Sequence, residues 1–462
     1  MLETVTPTPV TPILDRGTPT LVTPIPGPDA CSVVARDKQW VSPSLPHAYP
    51  LAVRRAQGMI VEDVDGNRFL DCAAGIAVCS TGHCHPRVVQ AIQRQAGELI
   101  HICAADFYEP HYIGLAERLG RLAPGSAPKK VFLANSGAEA VEAALKLARY
   151  HTGRSQVLAF FGAFHGRTMG AVSLTASSYK YQKDFRPLVQ GITHVPYGYC
   201  YRCHYNLSYP SCGLACVDTI EDGLFSRSMA ADEVAAIFVE PVQGEGGYIV
   251  PPPGWLARLR ELCTRHGILL VADEVQSGMG RTGKLFAVEH WDVEPDIVCL
   301  AKALASGMPL SAMIARQDVM SWPPGTHGST FGGNPVCCAA AEATLDVIEE
   351  EGLLANATRV GERMLGELRS IAAESHLVGD VRGLGLMIGV ELVRDRTTKV
   401  RAVKERDEVV LECFKRGLVV LPCGPNSLRF SPPLIISQAE ADTALAIFAE
   451  ALAVVEQRDP RG

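Results

Sequence analysis

Two charged residues close two short apolar runs. Lys302 ends Asp296-Ile-Val-Cys-Leu-Ala-Lys302, and Asp273 ends Ile268-Leu-Leu-Val-Ala-Asp273. Both runs have the length and composition of buried strands. Open α/β sheets bind ligands just outside the carboxyl ends of their strands. A lysine amine there can condense with an aldehyde, and a carboxylate can keep a pyridine nitrogen protonated. The two together suit pyridoxal 5′-phosphate. Taken alone, the pair reads more simply as two solvated strand-end charges, so the neighbouring segments must decide.

Several segments carry further candidate chemistry. Asn135-Ser136-Gly137-Ala138-Glu139 joins an apolar run to a helical one. Its small residues would let backbone N–H groups face an anion at a helix start, while Ser136 and Glu139 also form a capping-box pattern. Gly162-Ala-Phe164-His-Gly-Arg167-Thr offers an aromatic that could stack on a ring and an arginine that could clamp a carboxylate. On its own it reads more readily as a glycine-rich surface turn. Glu240-Pro-Val-Gln-Gly-Glu245 puts two carboxylates at a strand end, and Gly328-Ser-Thr330-Phe-Gly-Gly-Asn334-Pro presents hydroxyls and amides before a helix. His83 and His85 have metal-like spacing but lack an evident third ligand, which favours a structural turn. Cys200, Cys203, Cys212 and Cys216 are spaced as a tetrahedral zinc set would be; disulfides or free thiols fit the same spacing.

These residues need a scaffold. Gly58 to Asp71 alternates like two strands around an Asp65-Gly66 turn. Strands are predicted at 130–134, 156–160, 235–240, 268–273 and 296–301, with helices at 138–150 and 255–266 between them. Such alternation predicts a mostly parallel sheet covered on both faces. Beyond Asn334 the pattern becomes helical, with helices ending near Gly352 and Glu374, one strand over 382–392, and helices near 404–415 and 438–456. The predicted fold class is α/β, with a smaller α+β domain built from both chain ends. The expected boundaries are a Pro/Thr-rich leader over 1–30, extended or disordered, and the first part of the small domain over 31–95. A large domain would cover 96–340, with a cysteine-rich insertion at 199–216. The rest of the small domain would cover 341–462.

Composition narrows the function classes. The 462 residues are 47% hydrophobic and 20% charged, with net charge −7. That balance supplies a large core and no basic excess for nucleic acid. No run approaches the ~18 apolar residues that span a bilayer. The N-terminus lacks the pattern of a signal peptide, and a cytoplasmic location is expected. Fifteen cysteines, many lying singly in apolar runs like Cys263 and Cys299, read as buried thiols.

From about Gly58 to Leu452 the chain resembles the class III aminotransferases, the omega-amino acid transaminases of the fold-type I pyridoxal phosphate enzymes. The stretch from Leu270 through Gln276 and Arg281 to Lys302 follows that family's signature in order and spacing. The resemblance implies that Lys302 holds the cofactor and moves a proton, that Asp273 pairs with the ring nitrogen, and that Gln276 meets the ring 3-oxygen. Phe164 would stack on the ring, while Ser136, Gly137 and Ala138 would hold the phosphate. Thr330 would reach the phosphate of a partner subunit, implying a homodimer or a tetramer.

For the substrate, Arg429 and Glu245 match the family's exchangeable pair, and Arg167 would bind a distal carboxylate. The stretch around Ile76 looks most like the 4-aminobutyrate branch, which implies 4-aminobutyrate and 2-oxoglutarate as substrates. Acetylornithine enzymes share part of that stretch, and ornithine enzymes carry a tyrosine in the region. The cysteine-rich segment resembles one in archaeal-type members, which include amino acid racemases.

Overall fold

The computed structural model describes residues 18–458. The first strands form a hairpin layer of β1 (Val53–Gln57), β2 (Ile60–Asp63) and β3 (Arg68–Asp71). β2 and β3 pair antiparallel with Glu62 opposite Arg68, so the turn falls where Asp65-Gly66 predicts it. The expected leader divides here. Residues 1–17 lie outside the described residues. Residues 18–27 are extended but fastened, because Thr20 exchanges backbone hydrogen bonds with Arg68 and the Asn67 side chain accepts from Val22 and Thr23. A helix, Pro28–Trp40, then starts on the Asp65 carboxylate, which accepts from the amides of Asp29 and Ala30. The sequence reading places no helix here.

The central layer contains β4 (Lys129–Ala134), β5 (Gln156–Phe160), β6 (Ile192–Val195), β7 (Val234–Val239), β8 (Leu269–Asp273), β9 (Ile297–Leu300) and β10 (Ser311–Arg316). Their order is β4-β10-β9-β8-β7-β5-β6. Strands β9 to β6 run parallel, and β10 is antiparallel to both neighbours. Every residue of β7, β8 and β9 is buried. That explains their unbroken apolar runs, since a sheet covered on both faces has no polar side. Alternation survives in β5. Val157 and Ala159 join the cluster under the Gly137–Thr152 helix, whereas Leu158 and Phe160 join the cluster of Trp255 and Leu259.

The last layer holds β11 (Val378–Leu384), β12 (Met387–Leu392), β14 (Leu421–Cys423) and β15 (Ser427–Phe430), ordered β11-β12-β15-β14. Between them β13 (Leu418–Val419) pairs parallel with β3, so both ends of the chain share the first sheet. The single strand expected over 382–392 is therefore a hairpin. Gly385 adopts φ +53°, a left-handed turn that splits one apolar run into two strands. Among the described residues, no helix is long and apolar enough to cross a membrane.

Candidate active site

A cavity of about 560 Å³ opens at the carboxyl ends of the central strands. It is lined by Ser136, Gly137, Ala138, Phe164, His165, Arg167, Glu240, Asp273, Gln276 and Lys302, among others. Each is delivered by a local rule. Ser136 caps the Gly137–Thr152 helix by accepting from the Glu139 amide at 3.3 Å. The Glu139 carboxylate returns to Asn135, accepting from its amide at 2.6 Å and from Nδ2 at 2.9 Å. The amides of Gly137 and Ala138 open this helix and have no intrahelical acceptor, which suits an anion. A Cβ at Gly137 would stand 2.8 Å from Val275, so only glycine lets the helix start pack on the turn after Asp273.

Lys302 begins a short helical turn with φ +44°, a conformation that costs a non-glycine residue energy. Burial pushes its amine down to about 8, with the Arg429 charge adding to the effect; Asp273, Glu240 and Glu245 pull the other way. Asp273 is 4% exposed. Its Oδ1 accepts from the Val275 amide at 3.0 Å, and its Oδ2 lies 2.7 Å from His165 Nδ1. Burial disfavours the charged imidazole of His165, yet the hydrogen bond and charge of Asp273 hold it above its ordinary value. Glu240 is pushed up to about 7 by burial, although it accepts from the Phe164 and Gly244 amides at 2.8 and 2.9 Å. Gln276 Oε1 is buried without a protein partner.

Beside the cavity, Glu245 Oε2 lies 3.3 Å from Arg429 Nη1. Glu245 Oε1 accepts from the Tyr181 hydroxyl at 3.0 Å. The Arg429 side chain is 5% exposed, and its Nε and Nη1 have no hydrogen-bond partner. Arg167 sits 5.0 Å from the Phe164 ring centre and 5.4 Å from that of Tyr181.

These residues fit a pyridoxal phosphate. Burial favours the uncharged amine of Lys302, and the helix-start amides, the buried Asp273 carboxylate and the Gln276 amide line the same cavity. His165, Glu240 and Tyr181 were not singled out by role in the sequence. His165 sits in the Phe164 segment, but no local pattern around Tyr181 points to Glu245.

Two sequence candidates lie elsewhere. Thr330 is exposed on the loop before the Pro335–Glu350 helix, and it does not line its own chain's cavity. Ile76 is exposed with φ +67°, while its neighbour Val78 lines the cavity. The zinc reading finds no support. Among the described residues no three or more of His, Cys, Asp and Glu are arranged to hold a metal. Cys200, Cys203, Cys212 and Cys216 are free thiols. A structural zinc site needs sulfurs converging to about 2.3 Å from one point, in the thiolate form. All four line one small pocket, where burial, and then the neighbouring cysteines, raise the Cys200 thiol; burial likewise raises Cys216 to about 11, with Cys200 and Cys203 adding to it. His83 is held by Asp71 at 2.7 Å and His85 faces Glu351 at 3.1 Å, so their spacing serves two separate contacts.

The family model described as "Aminotransferase class-III" matches residues 42–452. The 4-aminobutyrate aminotransferase of Mycobacterium tuberculosis (strain ATCC 25618 / H37Rv) is 42% identical over 442 residues, covering 94% of this chain and 98% of that protein. The alanine/serine racemase of Pyrococcus horikoshii is 38% identical over 441 residues, covering 94% and 92%. Among solved structures, a thermostable (S)-enantioselective omega-transaminase from Thermomicrobium roseum superposes with a TM-score of 0.86. It is 34% identical, with 92% of this chain and 99% of that one covered.

Proposed function

The chain belongs to the class III aminotransferases, and from that premise we propose that it transfers the amino group of 4-aminobutyrate, or a related omega-amino acid, to 2-oxoglutarate. The products would be succinate semialdehyde and glutamate. Family membership implies pyridoxal phosphate, which when bound supplies an aldehyde carbon and a ring that takes up electrons.

The chain's own residues would then act as follows. Lys302 Nζ would hold the cofactor and carry a proton at the reacting carbon. The Asp273 carboxylate, backed by His165, would keep a proton on the ring nitrogen. Gln276 would donate its amide N–H to the ring oxygen, Phe164 would cover the ring, and Ser136, Gly137 and Ala138 would hold the phosphate. Glu240 fixes the amides of Phe164 and Gly244 and so orients the aromatic wall.

The observation that carries the substrate reading is the Arg429–Glu245 contact. Glutamate brings a carboxylate to the reacting carbon, and 4-aminobutyrate does not. A buried arginine without a carboxylate is costly. Glu245 supplies one when the substrate lacks it and gives way when the substrate has its own. Arg167, exposed beside Phe164 and Tyr181, would bind the distal carboxylate that both substrates share. Thr330, exposed and away from its own cavity, fits a homodimer in which it serves the partner's phosphate. The 42% identity to 4-aminobutyrate aminotransferase supports the same reading.

Single-turnover kinetics on each half-reaction tests it. Arg429→Ala should weaken the glutamate half by about 2–5 kcal/mol, the cost of losing a buried charged hydrogen bond. It should weaken the 4-aminobutyrate half less. Glu245→Ala should show the opposite bias, and equal losses in both halves would refute the exchange. The 38% identity to a racemase favours a second reading, amino acid racemisation in the same pocket. Chiral analysis of an amino acid incubated without any keto acid separates the two, because a transaminase then leaves the configuration unchanged beyond one turnover.

A further inference from the structure

Arg382 on β11 lies outside the cavity, yet it touches both elements that carry the Glu245–Arg429 pair. Its Nη2 donates to the Gly247 carbonyl at 2.7 Å, and its Nε donates to the carbonyls of Gly247 and Tyr248 at 3.1 and 3.2 Å. Both carbonyls belong to the turn that follows Glu245. Nη2 also donates to Ser427 Oγ at 3.0 Å, two residues before Arg429 on β15. The remaining nitrogen, Nη1, donates to Asp380 at 2.8 Å and to Glu391 at 2.7 Å. The side chain is 10% exposed.

Glu391 is the second node. It sits on β12 opposite Ser427 and its side chain is 1% exposed. Besides Arg382 it accepts from Arg202 Nε at 2.5 Å, from Asn426 Nδ2 at 3.3 Å, and from the Tyr199 hydroxyl. The Arg382 guanidinium also lies 5.1 Å from the Tyr199 ring centre. Tyr199 and Arg202 belong to the cysteine-rich segment, so that segment closes over the carboxylate holding Arg382.

We propose that Arg382 is a positioning residue for the Glu245–Arg429 pair, and that Tyr199 and Arg202 brace it through Glu391. The cysteine-rich segment thereby helps set how the site divides between substrates with and without a carboxylate on the reacting carbon. This rests on the reading of Glu245 and Arg429 given above. Three of the four hydrogen bonds from Arg382 to these two elements go to the Glu245 turn and one goes to β15. Loosening Arg382 therefore disturbs Glu245 more than Arg429. A lysine keeps the positive charge beside Asp380 and Glu391 but cannot span three acceptors with a planar fork.

The test uses the holoenzyme and two unreactive ligands, glutarate and butyrate, with affinities measured by calorimetry and by the shift in cofactor absorbance. Glutarate fills both carboxylate positions, while butyrate fills only the distal one and leaves Arg429 to Glu245. Arg382→Lys should weaken butyrate by roughly tenfold, a loss typical of a sub-ångström misplacement, and glutarate by no more than about twofold. Tyr199→Phe should bias the pair in the same direction by roughly threefold. Equal weakening of both ligands, or no change in a folded variant, would overturn the proposal. Should Arg382→Lys fail to fold, Tyr199→Phe decides. Glu245→Ala is the control. If it fails to bias the two ligands, the exchange reading falls and this inference falls with it. If it biases them and Arg382→Lys and Tyr199→Phe do not, this inference alone is wrong.

Discussion

At the scale of one residue, the behaviour of Lys302 follows from where it is buried. Its amine is pushed from the ordinary 10.5 down to about 8. At pH 7.5 about a quarter of such amines are uncharged, against about one in a thousand for an ordinary lysine. Only the uncharged amine attacks an aldehyde. Re-addition of pyridoxal phosphate to cofactor-free protein, followed by visible absorbance, should therefore accelerate as pH rises through about 8 and level off above it. A rate still climbing steeply toward pH 10 would show an unperturbed amine. The linkage has a definite sign. Between about 8 and 10.5 the unfolded chain binds more protons at this group than the folded one, so Lys302's contribution to stability increases with pH across that window.

At the scale of elements, the site depends on surfaces that leave no space for a methyl group. The Leu353–Glu374 helix meets the β11–β12 turn where Gly361 faces the Gly385 carbonyl, and a Cβ at Gly361 would overlap that carbonyl. Gly385 in turn lies against the backbone of Thr282 and Gly283. Arg281 donates to the Leu386 carbonyl at 3.3 Å from the same loop, which runs on from Gln276. The obstacle is backbone on both sides, so relaxation must move a whole element. Gly361→Ala should destabilise the protein by about 3 kcal/mol, the upper part of the usual range for overpacking. Denaturant unfolding of the holoenzyme measures this, and a loss below about 0.5 kcal/mol would show that the helix and hairpin can part freely.

At the scale of the molecule, the question is whether one chain completes its own site. Thr330 is exposed, and exposed apolar side chains such as Ile100, Phe107, Tyr108 and Phe331 lie in the 99–108 and 328–334 segments. A homodimer would cover such side chains and deliver Thr330 to the other cavity. Mixing Lys302→Ala protein with Thr330→Ala protein tests this. If Thr330 acts across the interface, the mixed dimer has one site with both native residues, and tight cofactor binding and turnover return in that fraction. If Thr330 acts within its own chain, no mixed site is intact and neither property recovers.

Local sequence suffices for the site-bearing strands and for the chemical inventory. Short unbroken apolar runs bounded by polar residues read as strands buried on both faces, so the residues closing them, Asp273 and Lys302, are legible as groups at one rim of a sheet. Ser136 and the Asp65-Gly66 turn mark ends by local geometry, and the structure uses them that way. The 382–392 run misled because its periodicity does not reveal that Gly385 turns back. Pairings across long separations were decided only by tertiary structure. His165 meets Asp273 across 108 residues, Tyr181 meets Glu245 across 64, and Arg382 meets Gly247 across 135. No local pattern encodes such contacts, because they depend on how layers stack rather than on the period of either partner. The four cysteines make the same point. Their spacing permits a metal set, and only the fold decides whether the sulfurs converge.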